Sequence, residues 1–308
     1  MILGLTACTT AGGPTTGDAT GPPRTAPAVA PAAAAAPASA ATPTVLIGAG
    51  DIATCDSTAD SRTLVLLERF PGTVFTLGDN VYPDGTRADF ARCYGPTWGR
   101  VKARTRPAVG NHEYHVRGAT PYFDYFGSRA GPRGKGYYSY DAGPWHVVVL
   151  NTNCSVVPGG CARGSAQERW LRADLAASAA RCTVAMAHHP LFTSADKHPP
   201  ETRIRPLVQT LYDAGTELLL AGHNHMYERF APQTPAGRRD TARGIREIVV
   251  GTGGAGLYPF GRTAANSEVR DARTYGVLRL TLRPGSYRWD FIPAGGARFS
   301  DTGGQTCH

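Results

Sequence analysis

Thr73-Val74-Phe75-Thr76-Leu77-Gly78-Asp79-Asn80-Val81-Tyr82 is a short apolar run closed by glycine and followed at once by a carboxylate, an amide and a phenol. An apolar run that ends in Gly and Asp reads as a buried strand of an α/β sheet. The pattern recurs along the chain. Thr44–Ala49 leads into Gly50-Asp51, Arg106–Val109 into Gly110-Asn111-His112-Glu113, Thr183–Ala187 into His188-His189-Pro190, and Glu217–Ala221 into Gly222-His223-Asn224-His225. Taken singly, each polar motif reads as a turn or a helix cap. Five in one order at strand ends do not. In open α/β sheets the chemistry gathers at the carboxyl ends of strands. These ends supply two carboxylates, one phenol, one amide and three imidazoles, which is the ligand inventory of a two-metal hydrolytic site.

Around the motifs, helical periodicity marks Ser61–Phe70, Gln167–Ala177 and Ile204–Ala214, each with leucines on one face. Gly136–Asp141 and Trp145–Asn151 flank Ala142-Gly143-Pro144 as an antiparallel hairpin, and strands Ile245–Val250, Tyr275–Leu282 and Tyr287–Ile292 complete the chain. Helices alternating with strands, then closing antiparallel strands, predict an α/β fold of two mixed β-sheets packed face to face with flanking helices. Tyr114–Lys135, rich in Tyr, Phe, Gly and Arg, is expected to line the pocket.

The 308 residues are 42% hydrophobic with 37 glycines, and no apolar run is long enough to span a membrane. The formal net charge of +8 rests almost wholly on arginine, because Lys102, Lys135 and Lys197 are the only lysines. No basic run is interleaved with aromatics, so no nucleic-acid partner is expected. Leu5-Thr6-Ala7-Cys8 resembles a bacterial lipobox, with residues 1–8 as a truncated lipoprotein signal. Residues 9–43 are almost entirely Ala, Pro, Thr and Gly, too poor in apolar surface to fold, and read as a disordered tether. Extended at about 3.1 Å per residue, it reaches on the order of 100 Å. The folded part is residues 44–308. A lipid anchor on Cys8 is the one membrane contact expected, and the location is extracytoplasmic. The six other cysteines then favour disulfides. Cys154 and Cys161 close a short loop through Pro158-Gly159-Gly160, Cys55 and Cys93 each follow a motif loop, and Cys182 is left with Cys307.

From about Val45 to Gly254 the motif set resembles the calcineurin-like metallophosphoesterase superfamily, and within it the purple acid phosphatases. The phosphodiesterase branch carries Asp-x-His in its first motif. Here that position reads Asp51-Ile52-Ala53, and Tyr82 of the second motif stands in for the histidine, which is the purple acid phosphatase signature. The resemblance implies a four-layer sandwich and two metal ions. Site one would take Asp51, Tyr82, His225 and the bridging Asp79. Site two would take Asp79, Asn111, His188 and His223. His188 rather than His189 matches, one residue before an x-Pro step, although Val184 lies four residues before it where the family has three. Three anionic oxygens suit Fe(III) in site one, while two imidazoles, an amide and a shared carboxylate suit Fe(II), Zn(II) or Mn(II) in site two. A metal-bridging hydroxide would be the nucleophile, His112 would stand over the bound phosphate, and His198 falls where plant members carry a further active-site histidine. The expected activity is phosphomonoester hydrolysis, with a phosphodiesterase or nucleotidase as the alternative and a non-catalytic surface lipoprotein behind both. Gly48-Ala49-Gly50-Asp51-Ile52-Ala53 also fits a dinucleotide-binding fingerprint. That reading fails because Asp51 would repel the pyrophosphate and no acidic residue ends the next strand at the usual distance of about 20 residues.

Overall fold

Alternation decides where the strands go. Val147, Val149, Val184, Met186, Leu218 and Leu220 point one way and join Leu46, Val74, Leu77 and Leu280 in one apolar core. Their neighbours Val148, Ala185 and Leu219 point the other way, onto Leu171, Leu207, Val208 and Leu211 of two helices. Each such side chain taken from water contributes roughly 1.5–3 kcal/mol, so sheet-on-sheet and helix-on-sheet burial fix the register from which the motif loops emerge.

The computed structural model describes residue 7, residues 9–17, residue 21 and residues 42–308. The lipobox Cys8 and most of the predicted tether lie outside the described residues. Among the described residues thirteen strands run in chain order: β1 (Thr44–Ala49), β2 (Thr73–Leu77), β3 (Thr105–Ala108), β4 (Tyr138–Ala142), β5 (Trp145–Val149), β6 (Cys182–Met186), β7 (Leu218–Ala221), β8 (Tyr227–Phe230), β9 (Arg246–Val250), β10 (Ser267–Asp271), β11 (Gly276–Arg283), β12 (Ser286–Pro293) and β13 (Asp301–Thr306). They form a six-stranded sheet, β13-β12-β11-β1-β2-β3, and a seven-stranded sheet, β10-β8-β9-β7-β6-β5-β4. Parallel pairing runs through β1, β2 and β3 in the first and through β5, β6, β7 and β9 in the second. The remaining strands pair antiparallel, as in β1 with β11 and β4 with β5.

Helix Ala166–Ala177 starts at Ser165, whose hydroxyl accepts the Glu168 N–H at 3.2 Å, and helix Arg205–Asp213 carries Pro206 in its first turn. Both cover the outer face of the seven-stranded sheet. Helix Ala59–Arg69 packs on β11 with Leu64 and Leu67 buried. The two mixed sheets and flanking helices agree with the sequence reading.

Two expectations need correction. The chain does not finish at Tyr287–Ile292, because β13 adds an edge strand beyond β12. Gly303 permits this pairing, since a Cβ there would stand 2.1 Å from the Trp289 ring. Nor does Tyr114–Lys135 line the pocket. It folds into short helices whose Tyr122, Phe123 and Phe126 are buried with Phe90 and Tyr94, and the Tyr122 hydroxyl donates to the Pro107 carbonyl at 2.9 Å. Its aromatics belong to the core.

All three expected disulfides are present: Cys55–Cys93, Cys154–Cys161 and Cys182–Cys307. The last joins the start of β6 to the residue after β13, tying the two sheets across a separation of 125 residues. In chain-entropy terms a loop of that length contributes on the order of 5 kcal/mol by restricting the unfolded chain.

Candidate functional site

Five of the loops that leave parallel strands meet where the two sheets face each other. Backbone hydrogen bonds stitch them together: Gly50 N–H to the Val250 carbonyl at 2.8 Å, Asp51 N–H to Gly78 at 3.1 Å, and Gly222 N–H to His188 at 2.9 Å. Asp51, Asp79 and His223 turn off their strands at φ of 59°, 46° and 69°. That left-handed backbone costs such residues of order 1 kcal/mol or more each, and clusters of it occur where side chains must be aimed. Gly110 lets two loops close on each other, because a Cβ there would lie 2.1 Å from Asp79 Oδ1.

Two sets of donor atoms result. In the first, the Tyr82 hydroxyl lies 3.0 Å from Asp51 Oδ1, 3.1 Å from Asp79 Oδ2 and 3.0 Å from His225 Nε2. In the second, His188 Nε2 lies 2.9 Å from Asn111 Oδ1, 3.3 Å from Asp79 Oδ2 and 3.2 Å from His223 Nδ1. Asp79 Oδ2 belongs to both. Every sequence-predicted donor is therefore brought to one place.

The imidazoles are oriented from behind. His188 Nδ1 donates to the Leu77 carbonyl at 2.8 Å and His225 Nδ1 to the Gly256 carbonyl at 2.7 Å, which turns each Nε2 toward the cluster. Asp51 Oδ2 accepts the His223 N–H at 2.8 Å, and Asp79 Oδ1 accepts the His112 N–H at 2.9 Å. Each carboxylate thus keeps its other oxygen for the cluster.

The electrostatics call for positive charge. Burial opposes ionisation of Asp79, yet the facing His188 and His112 hold its carboxyl well below the usual carboxylate range. Burial lowers His188, but Asp79 outweighs it and raises the imidazole to about 9. Burial and the Asp51 and Asp79 charges push the Tyr82 phenol well above its ordinary value, so only a cation beside it would ionise it.

The donor set fits metal ions. Oxygen and nitrogen ligands about 2.0–2.1 Å from one cation stand roughly 2.8–3.4 Å apart at octahedral to tetrahedral angles. The separations above match that spacing. His189, passed over in the sequence, lies with His188 and His223 within the same 4.8 Å grouping. Its backbone N–H donates to Thr152 Oγ1 at 2.9 Å and its Nδ1 meets the same oxygen, while burial and His188 push it down to about 3, so it packs neutral against the His223 ring.

A cavity of about 430 Å³ opens above the cluster, walled by His112, Lys197, His198, Thr54, Asp56 and Gly256 among others. His112 stands outside both donor sets. Its Nδ1 is tied to the Pro83 carbonyl, its ring lies 4.4 Å from Tyr82, and its Nε2 is 3.9 Å from Asp79 Oδ2. The His198 ring is 4.6 Å from that of His223, so the Pro-rich loop carrying it does reach the pocket. A larger cavity of about 830 Å³ near the turn between β4 and β5 holds His146 between Asp141 and Asp174 at 2.9 Å each, but brings no second donor set.

Sequence reasoning missed two supports. Glu113, fully buried, accepts the N–H groups of Asn80 and Gly110 at 2.7 Å each, clamping two motif loops together. Burial, with Asp79 nearby, pushes its carboxyl up to about 7. Tyr258 donates to the His223 carbonyl at 2.8 Å and packs 4.7 Å from the His225 ring. The Glu113 position inside the third motif was a signal; the loop holding Tyr258 offered none.

The calcineurin-like phosphoesterase family model matches residues 45–227. Among curated proteins, purple acid phosphatase 15 of Arabidopsis thaliana is 27% identical over 216 residues, covering 58% of this chain and 40% of that protein. The chain spans less than half the length of the curated plant relatives it matches first. Among solved structures, the purple acid phosphatase from yellow lupin seeds superposes with a TM-score of 0.70 at 18% identity, over 86% of this chain and 54% of that one. GAP50 of Plasmodium, described as the anchor in the inner membrane complex, gives 0.64 at 12% identity over 87% and 90%. Both structural likenesses are of fold.

Proposed function

The chain belongs to the calcineurin-like phosphoesterase family, and we propose that residues 44–308 form a metal-dependent phosphoric ester hydrolase of the purple acid phosphatase type. The observation that carries this reading is the convergence of seven donor side chains in two sets sharing Asp79. Asp51, Asp79, Tyr82 and His225 would hold Fe(III), and Asp79, Asn111, His188 and His223 would hold Fe(II), Zn(II) or Mn(II). Two ions so held supply Lewis-acid polarisation of phosphoryl oxygens and acidify water toward neutral pH.

The remaining steps fall to the pocket wall. His112, fixed through Nδ1, presents Nε2 to the cavity as the proton donor for the leaving oxygen. Lys197 and His198 border the same cavity, and their positive or hydrogen-bonding groups favour a doubly charged phosphomonoester over a diester. Among the pocket-lining residues Thr54 carries the one aliphatic hydroxyl, and among the described residues its hydrogen bond is the one it accepts from the Asp56 backbone N–H, not one it donates to a carboxylate or imidazole. No side chain is therefore activated as a nucleophile, and water attacks phosphorus directly. A non-catalytic surface lipoprotein would not account for a complete donor set.

Profiling purified protein on phosphomonoesters and diesters, with metal analysis of the same preparation, tests this. Close to two ions per chain are expected, with iron among them and a visible phenolate charge-transfer band that Tyr82→Phe abolishes. A colourless, active two-zinc protein would refute the iron assignment alone. Absence of metal-dependent turnover on every ester would sink the enzyme reading.

The three disulfides support an extracytoplasmic location, and Leu5-Thr6-Ala7-Cys8 supports a lipid anchor. The product of the native gene is expected to partition with membranes and its Cys8→Ser variant to leave them. Equal partitioning of the two would remove the anchor. Free thiols at the six domain cysteines in the exported protein would remove the location argument.

A further inference from the structure

The loop after His188-His189 runs from Pro190 to Glu201 and carries Lys197 and His198 to the pocket. Its root is held by two buried carboxylates. Glu247 on β9 accepts the Leu191 N–H at 2.8 Å, and Glu228 on β8 accepts the Ser194 N–H at 2.7 Å together with the Ser194 hydroxyl. Gly261 donates to the Ser194 carbonyl at 2.8 Å, and Ala195 bridges Phe260. Past that bridge the support thins. Among the described residues, the hydrogen bond that reaches Lys197–Pro199 comes from Asn224, whose Nδ2 donates to the His198 carbonyl at 3.0 Å. The same amide donates to Thr193 Oγ1 at 3.2 Å, so it straddles the loop.

Asn224 is fully buried between His223 and His225, and its Oδ1 finds no partner among the described residues. A buried amide that leaves its oxygen unpaired while using both hydrogens on one loop is placed for what it donates. We propose that Asn224 is a positioning residue, whose side-chain amide holds the Lys197–His198 tip against the pocket. Through it the backbone segment that aims two of the site's imidazoles also fixes the neighbouring stretch of wall. With the tip held, the His198 ring lies 4.6 Å from His223 and Lys197 Nζ lies 5.1 Å from the centre of the Tyr258 ring. Released, it would withdraw one imidazole and one ammonium from where phosphate oxygens enter. The catalytic consequence rests on the phosphoesterase reading; the structural hold does not.

The three lysines make the hold measurable. A lysine-specific endoprotease can cut this chain only after Lys102, Lys135 and Lys197. In metal-loaded Asn224→Val and Asn224→Ala, cleavage after Lys197 is expected to quicken about tenfold, the effect of losing one buried hydrogen bond on local opening. Cleavage after Lys102 and Lys135 should not change, and metal content should match the parent. In the kinetic arm, kcat/KM for a phosphomonoester should fall about tenfold in Asn224→Val, and the loss in His198→Ala/Asn224→Val should fall short of the product of the two single losses, because only the Lys197 share of the effect remains once His198 is gone. Unchanged cleavage after Lys197, faster cleavage at all three lysines together, or fully multiplicative kinetic losses would each overturn the proposal. If the parent hydrolyses no phosphoester, the proteolysis still decides the role of Asn224 while the functional reading fails separately.

Discussion

Asn111→Ala is expected to lower phosphoester turnover by at least about a thousandfold and to leave close to one metal ion per chain. The Asn111 oxygen stands 2.9 Å from His188 Nε2, at the end of the loop that follows β3. Losing one of four donors opens the second set. Two-ion charge stabilisation of a transferring phosphoryl group is worth several kcal/mol, and about 4 kcal/mol corresponds to roughly a thousandfold in rate. The fold should survive. The Asn111 carbonyl still accepts the Tyr114 N–H at 3.0 Å, so the metal-free variant should melt with the metal-free parent. His223→Ala should give the same kinetic result, because its Nδ1 is the atom 3.2 Å from His188 Nε2. Activity and metal analysis on one preparation check both. Full turnover with two retained ions in either variant would remove that residue from the site.

The donor residues were legible in the sequence for a physical reason. Parallel strands deliver their following loops to one edge, so five polar motifs after five apolar runs had to converge if the runs paired parallel. Parity of cysteines and one short loop likewise sufficed for the disulfides. What stayed hidden depends on partners far along the chain. β13 contains Asp301, Thr302, Gly303, Gly304, Gln305 and Thr306, with no apolar alternation; it is recruited by the backbone of β12 and by the space Gly303 leaves for Trp289. β8 and β10 are short strands at the sheet margin and carry Glu228, Arg229 and Glu268, so a hydrophobic pattern finds neither. The aromatics of Tyr114–Lys135 misled because aromatic richness signals core and pocket alike, and only packing on Phe90 and Tyr94 separates the two. Tyr258 and Asn224 act through single hydrogen bonds to His223 and His198, which no local pattern encodes.

His112→Ala should part company with the donor variants: both ions stay bound while the rate falls by about 10²–10⁴-fold, the usual worth of a positioned acid or base. The geometry separates the two roles. His112 contributes its backbone N–H to Asp79 Oδ1 at 2.9 Å, and alanine preserves that bond. Its ring belongs to neither donor set, being tied through Nδ1 to the Pro83 carbonyl and packed at a tilt against Tyr82. With 28% of the side chain exposed at the cavity, its Nε2 is free to meet an incoming leaving group. If that nitrogen protonates the departing oxygen, the loss must depend on how badly the oxygen needs the proton. Alkyl phosphates, whose alkoxides are poor leaving groups, should show the full deficit. Nitrophenyl phosphate, whose phenolate departs unaided, should show much less. A uniform loss across both classes would reassign His112 to binding the phosphoryl group, and loss of a metal ion would reassign it to the donor set. Inversion at a chiral phosphorothioate would accompany direct attack by water, whereas retention or a trapped phosphorylated side chain would overturn the single-step reaction that this acid is there to assist.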